Sequence, residues 1–306
     1  MTTKDKLGVI NICKEKGFTS HDVVAIIRRI TRGKVGHTGT LDPDATGVLP
    51  ICLGRATKLA EHFAAADKTY AAEIVLGVTT DTGDMSGQVL SQNDVVFNRE
   101  AIESAVASFR FDVRGEYLQT PPMYSAIKIG GKKLYELARK GQVVERKPRP
   151  VVIHEIKVLE YMPQGNTFVI EVSCSKGTYV RSLAMDIGEA LGCGAAMGEL
   201  KRTRSGVFDI KDSVKLDDIK NAAENGKLDD FIIPIDKILT YPKAFIKPEG
   251  MKWALNGNPL PLEVVEADGA QPLKPGKKYW LVNKNDNQAI GLYRNGGGKM
   301  RPEVML

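Results

Sequence analysis

Residues 36–50 read Gly-His-Thr-Gly-Thr-Leu-Asp-Pro-Asp-Ala-Thr-Gly-Val-Leu-Pro, a run in which turn formers and apolar residues surround the carboxylate of Asp42. Gly36, Gly39 and Gly47 permit close backbone approach, Pro43 biases Asp42 toward an extended backbone, and Val48 and Leu49 can anchor the run in a core. Such a loop aims its carboxylate, and an aimed, ionised carboxylate can act as a nucleophile. An Asp-Pro step by itself more often makes an Asx-turn that caps the next segment. Other chemistries fail on spacing. Asp42, Asp44, Thr46 and Gly47 imitate the start of a calcium loop, but Leu53 stands where the loop needs its bidentate Glu. Alternate residues of one Pro-stiffened loop need not flank a scissile bond, which weakens Asp42 and Asp44 as a glycosidase pair. Gly296-Gly297-Gly298-Lys299 lacks the spacing of a phosphate loop.

Further along stand Lys68-Thr69-Tyr70, Thr80-Asp81-Thr82-Gly83-Asp84, the run 119–126 (Gln-Thr-Pro-Pro-Met-Tyr-Ser-Ala) and the run 174–181 (Cys-Ser-Lys-Gly-Thr-Tyr-Val-Arg). With the Asp42 loop, these strings resemble the bacterial tRNA pseudouridine synthase B family in the same order. The resemblance implies conversion of uridine 55 in the T-loop of tRNA to pseudouridine. The bond from ribose C1′ to N1 breaks, the uracil turns, and it rejoins through C5, with no metal or organic cofactor. It implies that Asp42 is the nucleophile and that Arg181 is the cation keeping it ionised in a water-poor pocket. Tyr70 would stack on the extruded uracil, with its hydroxyl placed to help remove the C5 proton. His37 would fill space vacated by the flipped nucleotide and Leu200 would pack by the base, while Lys14 and Tyr179 join the substrate-binding set. Glu15 stands where the family pattern follows Lys with Pro. Without the resemblance, Tyr70 reads as a strand aromatic, Arg181 as an arginine on a solvated helix face, His37 as structural or surface, and Leu200 equally as core. An RNA-binding or tRNA-folding protein, and the guide-RNA-dependent branch of the same family, are the alternatives. Asp42, Tyr70 and Arg181 together favour an enzyme, and the basic segment after Ala126 with the short C-terminus favours the stand-alone type.

The elements that must position these residues follow from periodicity. Strands are expected over 7–13 and 68–76 and through Phe168, Ile170, Val172 and Cys174, which alternate. Ser20 is expected to N-cap a helix with Val23, Val24, Ile26, Ile27 and Ile30 on its apolar face. Further helices are expected to carry Leu59, Ala60 and Phe63, to follow Asn98 with Ile102, Val106 and Phe109, and to span 178–191. Mixed helices and strands without regular alternation point to an α+β class with a mainly antiparallel central sheet flanked by helices. The catalytic unit is expected over 1–240 and a small β-rich, PUA-like RNA-binding unit over 241–306, where Gly, Pro and Asn break short strands.

Residues 128–149 hold eight Lys/Arg against two Glu, an excess equal to the net charge of the whole chain, +6. This segment is expected to clamp RNA through Lys128, Lys132, Lys133 and Arg146, and Arg202 is expected as a further RNA-binding residue, adding positive potential beside the cleft with Lys201 and Arg204. A polyanionic partner fits this balance. The chain of 306 residues is 42% hydrophobic, an ordinary value for a globular protein. It opens on a short polar stretch and contains no apolar run of about 18 residues, so a cytoplasmic protein is expected. Cys13, Cys52, Cys174 and Cys193 form no Cys-x-x-Cys pair, which predicts free thiols and no zinc site. A monomer without an obligatory protein partner completes the expectation.

Overall fold

The computed structural model describes residues 7–125, 127–142, 144–269 and 272–306, except for the side chains of Ile129 and Lys133. The apolar run near the N-terminus forms β1 (Gly8–Lys14), buried at almost every position and antiparallel to β3 (Thr46–Leu53). Between them lie α1 (Ser20–Thr31) and the short β2 (Val35–His37), which pairs with β3 and delivers the chain into the Asp42 loop.

The helix start differs from expectation. Thr19, not Ser20, is the N-cap: its hydroxyl accepts from Asp22 N, and the Asp22 carboxylate accepts from Thr19 N at 2.8 Å. This reciprocal box requires an acidic or amide side chain three residues on, which Thr19 finds in Asp22 and Ser20 lacks, its counterpart being Val23. Ser20 is buried instead, with its hydroxyl bonded to both Leu41 O (3.1 Å) and Leu41 N (2.9 Å). The helix start is thereby tied to the residue before Asp42.

The remaining central strands are β4 (Lys68–Leu76), β5 (Ile153–Met162), β6 (Thr167–Cys174) and β7 (Ala195–Ser205). They form a nine-stranded sheet in the order β5-β6-β4-β7-β3-β1 with Ile233–Pro234 at the far edge; β2 and Phe208–Asp209 pair off this path. The pairings are antiparallel except β7 with β3, which are parallel, with Lys201 opposite Thr46 and Arg202 opposite Gly47. Gly47 has φ +101°, and a Cβ there would lie 2.2 Å from Arg202 O, so this crossing requires glycine. The α+β class with a mainly antiparallel sheet is the one expected from the sequence.

Helix α2 (Val180–Ala190) starts two residues later than the expected 178, because Gly177 at φ +84° and an extended Tyr179 turn the chain first. It packs with the helix Arg99–Ala107 against β4–β7, in a cluster that includes Ile74, Ile170, Leu183 and Ile187. A second cluster joins α1 and the helix Leu216–Glu224 to β1 and β3. Tyr70 and Leu200 pack against both clusters and mark the seam between them.

Residues beyond 240 build a separate six-stranded sheet in the order Leu260–Pro261, Lys299–Met305, Ala289–Gly296, Lys278–Asn283, Lys243–Ile246, Val265–Ala267, a small β-rich unit of PUA-like character. Trp280, Val282 and Leu292 from it share a core with Val9, Val48, Cys52 and Phe63 of the first sheet and its flank. Among the described residues, no helix is long and apolar enough to cross a membrane.

Candidate active site

Asp42 lies in the loop between β2 and β3, and its side chain is 48% exposed, so the open carboxylate contrasts with the water-poor position expected for it. The loop around it is firmly held. Lys14, at the end of β1 and fully buried, donates through Nζ to Pro43 O (3.0 Å), Phe18 O (2.6 Å) and Glu15 O (3.1 Å). Gly17 N also donates to Pro43 O, at 2.9 Å. Burial lowers the Lys14 pKa from its ordinary value, while Asp44 and Asp42 oppose that shift. Lys14 is thus a brace for the peptide that follows Asp42.

Arg181, in the first turn of α2, is only 7% exposed and brings Nη2 to 3.1 Å from Asp42 Oδ2. Its orientation is set from three other directions: Nη1 donates to Thr82 O (3.2 Å), Nη2 to Tyr124 O (2.8 Å), and Nε lies 3.6 Å from Asp84 Oδ2. Asp84 is fixed in turn, its Oδ1 accepting from the hydroxyls of Thr82 (2.8 Å) and Ser86 (2.5 Å). The helix entry is pinned by Gln119, whose amide donates to Tyr179 O (3.0 Å) and accepts from Tyr179 N (2.7 Å). Ser182 Oγ donates to Thr120 O at 2.9 Å. Asp84 and Gln119 have no role assigned from sequence, although both sit inside the strings that carry the family resemblance. The usable signal is a second carboxylate three residues after an Asp, in a run rich in turn formers.

Tyr70 is half-buried on β4 with its hydroxyl raised above the ordinary phenol range by burial, an effect that Arg202 opposes and the Asp42 charge reinforces. Tyr179 is likewise raised, chiefly by burial. His37 ends β2; its Nδ1 accepts from Gly39 N at 3.3 Å, which leaves the ring proton on Nε2, and its ring stands edge-on to His21 at 5.6 Å. Burial first, and then the neighbouring His21 and Arg202, lower its pKa. The ring is therefore neutral at neutral pH. The structure thus brings Arg181 to Asp42, braces the Asp42 loop with Lys14 and places Tyr70 and Leu200 at the seam between the two clusters, while His37 stands at the end of β2 beside His21.

The basic residues divide. Lys128 and Lys132 are exposed on a hairpin (Lys128–Ile129 with Lys132–Lys133), followed by the helix Leu134–Ala138, whose buried Leu134 and Leu137 seat it. Arg139, Lys140, Lys147 and Arg149 are exposed as well. The side chain of Lys133 lies outside the described residues. Arg146 is half-buried and donates from Nη1 to Pro121 O at 3.0 Å, which makes it a tether of this segment to the 119–125 run. Arg202 is a correction. It is 1% exposed, with its donors turned onto main-chain carbonyls of the Asp42 loop, so it is not placed to meet a phosphate. The alternation along β7 turns Lys201 outward and Arg202 inward, a choice of face that a basic string does not reveal.

A cleft of about 580 Å³ opens on the opposite face of the sheet, lined by Thr69, Ser173, Thr203 and Arg204 among others, and contains none of these site residues. Tyr70 and Thr69 alternate, so they face opposite ways. Among the described residues, no cluster of three or more His, Cys, Asp or Glu is arranged to hold a metal ion.

Residues 28–180 match the family described as TruB family pseudouridylate synthase (N terminal domain), and residues 181–240 match tRNA pseudouridylate synthase B C-terminal domain. The chain is 47% identical over 290 residues to tRNA pseudouridine synthase B of Alkaliphilus oremlandii, covering 94% of this chain and 93% of that protein. To tRNA pseudouridine synthase B of Clostridium novyi it is 41% identical over 305 residues, covering 98% and 99%. Among solved structures it resembles a chain of a Cbf5-Nop10-Gar1 complex (TM-score 0.72, 29% identity, 100% of this chain and 86% of that one). It also resembles a chain of an H/ACA RNP bound to a substrate RNA containing 2′-deoxyuridine (TM-score 0.69, 27% identity, 98% and 84%).

Proposed function

The chain belongs to the TruB family of pseudouridylate synthases, and from that premise we propose that it isomerises uridine 55 in the T-loop of tRNA with Asp42 as its nucleophile. It is a tRNA pseudouridine synthase, an isomerase. The observation that carries the site assignment is the guanidinium of Arg181, held by Thr82 O, Tyr124 O and Asp84 so that Nη2 meets Asp42 at 3.1 Å.

A flipped uridine enters the seam between the two cores, where the Tyr70 ring and Leu200 receive the base. Unstacking a base costs a few kcal/mol, and the neutral His37 ring offsets part of it by occupying the vacated space. With Asp42 as nucleophile the C1′–N1 bond breaks and its electron pair passes to N1; the uracil turns, C5 bonds to C1′ as the Asp42 carboxylate is regenerated, and C5 loses its proton with the help of the Tyr70 hydroxyl while N1 takes one up. Entry of the nucleotide covers the open face of Asp42 and strengthens its attraction to Arg181 by excluding water.

Lys128 and Lys132 with their exposed basic neighbours clamp the T-stem-loop, and the unit beyond residue 240 adds tRNA affinity without supplying catalytic groups. The protein works in the cytoplasm as a monomer and requires no protein partner. The test is to incubate it alone with an unmodified tRNA transcript and map pseudouridine. Conversion at position 55 is expected. Conversion elsewhere would overturn the substrate assignment, and conversion that needs an added guide RNA would place the chain with the guide-dependent branch.

A further inference from the structure

We propose that Arg202 is a positioning residue for this isomerisation, a single buried guanidinium that holds both ends of the Asp42 loop in register with Tyr70. The inference rests on the function proposed above. Nε donates to Val48 O at 2.7 Å, beyond the loop, while Nη2 reaches Gly39 O at 3.1 Å and Nη1 lies 3.5 Å from Thr40 O, before it. The same residue stands opposite Gly47 of β3 on one side and opposite Tyr70 of β4 on the other. It therefore touches the elements carrying the nucleophile while standing beside the strand that carries the aromatic.

The main-chain ladder between β3 and β7 extends over only Lys201–Thr46 and Arg202–Gly47. Past that point the loop leaves the sheet, and the Arg202 side chain supplies the bonds that backbone pairing does not. A planar guanidinium presents donors in a fixed fork and can span carbonyls that diverge from one another. A lysine carries all its donors on one nitrogen and so reaches only carbonyls that converge on a point, as Lys14 does, whereas Val48 O and Gly39 O are met by different nitrogens of Arg202. Among the described residues, no carboxylate forms an ion pair with Arg202; its charge faces the carbonyls of Gly39 and Val48 and the side chain of Tyr70. With the side chain 1% exposed and its Nε and Nη2 turned onto carbonyls of the loop, Arg202 is not placed to meet a phosphate.

The test uses the full chain with Arg202→Lys and Arg202→Met. Single-turnover conversion of an unmodified tRNA transcript, with enzyme in excess, should fall by at least about 30-fold in Arg202→Lys while the Kd for tRNA stays within about threefold, since the loss lies in geometry rather than binding. Amide hydrogen exchange should accelerate across residues 38–45 and stay unchanged at Ile170 and Val172 of β6. A wild-type rate in Arg202→Lys would overturn the proposal. Weakened binding with an intact rate would instead make Arg202 an RNA contact, and exchange accelerated uniformly would make it only a core residue. If Arg202→Met does not fold, Arg202→Lys, which keeps the charge and most of the volume, decides. A wild-type protein that forms no pseudouridine would sink the functional reading instead, while the exchange pattern still judges the clamp.

Discussion

Arg181 and Asp42 are an unequal pair, the guanidinium nearly sealed and the carboxylate half open. A pair open on one side gains little stability; its value lies in orientation, because Arg181 is fixed by Thr82 O, Tyr124 O and Asp84 before substrate arrives. Arg181→Met should therefore lower the single-turnover rate by about 10²-fold or more at nearly unchanged tRNA affinity. Asp84→Asn, which weakens one anchor only, should cost distinctly less. Rapid-quench conversion with parallel binding isotherms checks this, and equal losses in the two variants would contradict the hierarchy. Asp42, Tyr70 and Arg181 are singled out in the sequence by the family resemblance of the strings that hold them and not by local pattern alone, and the structure brings Arg181 to Asp42. The burial of Arg202 is not legible there, because Lys201, Arg202 and Arg204 look alike in a row, and only the pairing of β7 with β3 and β4 decides which of them is buried.

The Asp42 loop is held at the scale of elements by Ser20 at the start of α1, Lys14 at the end of β1, and the crossing at Gly47. Gly47→Ala places a methyl 2.2 Å from Arg202 O at a positive φ, so β3 and β7 must separate. A destabilisation of at least about 2 kcal/mol is expected from the clash and the strain together. Urea unfolding measures it, and a change below about 0.5 kcal/mol would show that the crossing yields freely. The basic hairpin and helix make a different prediction. Changing Lys128, Lys132, Arg139 and Lys140 together to Gln should weaken tRNA binding and flatten the slope of log affinity against log salt, by up to about 0.9 for each duplex phosphate that is no longer neutralised. An unchanged slope would remove this segment from the RNA interface. Periodicity locates most elements, but the cap on α1 turns on Asp22 as partner to Thr19, a reciprocal bond that a single N-cap residue does not announce.

Across the whole molecule, the change of texture near residue 241 coincides with the start of a second sheet but gives no sign that this sheet is fused to the first. Trp280 is 2% exposed, donates to Leu239 O at 2.8 Å, and shares a core with Val9, Val48 and Cys52, which lie on the reverse of the strands that bear the Asp42 loop. Long-range packing of this kind leaves no local pattern. A chain ending at residue 240 should accordingly lose cooperative stability, and Trp280→Ala in the full chain should cost about 3–5 kcal/mol. Thermal and urea unfolding distinguish this from a freely separable unit, for which both changes would leave the transition of residues 1–240 in place. The central claim is that these packed elements converge to present one ionised carboxylate to a flipped uridine. Asp42→Asn tests it most directly, because it keeps the size of the side chain and removes the charge. With enzyme in excess over an unmodified tRNA transcript, single-turnover pseudouridine formation should fall by at least about 10³-fold while tRNA binding is largely retained. Near-normal conversion by Asp42→Asn would contradict the account.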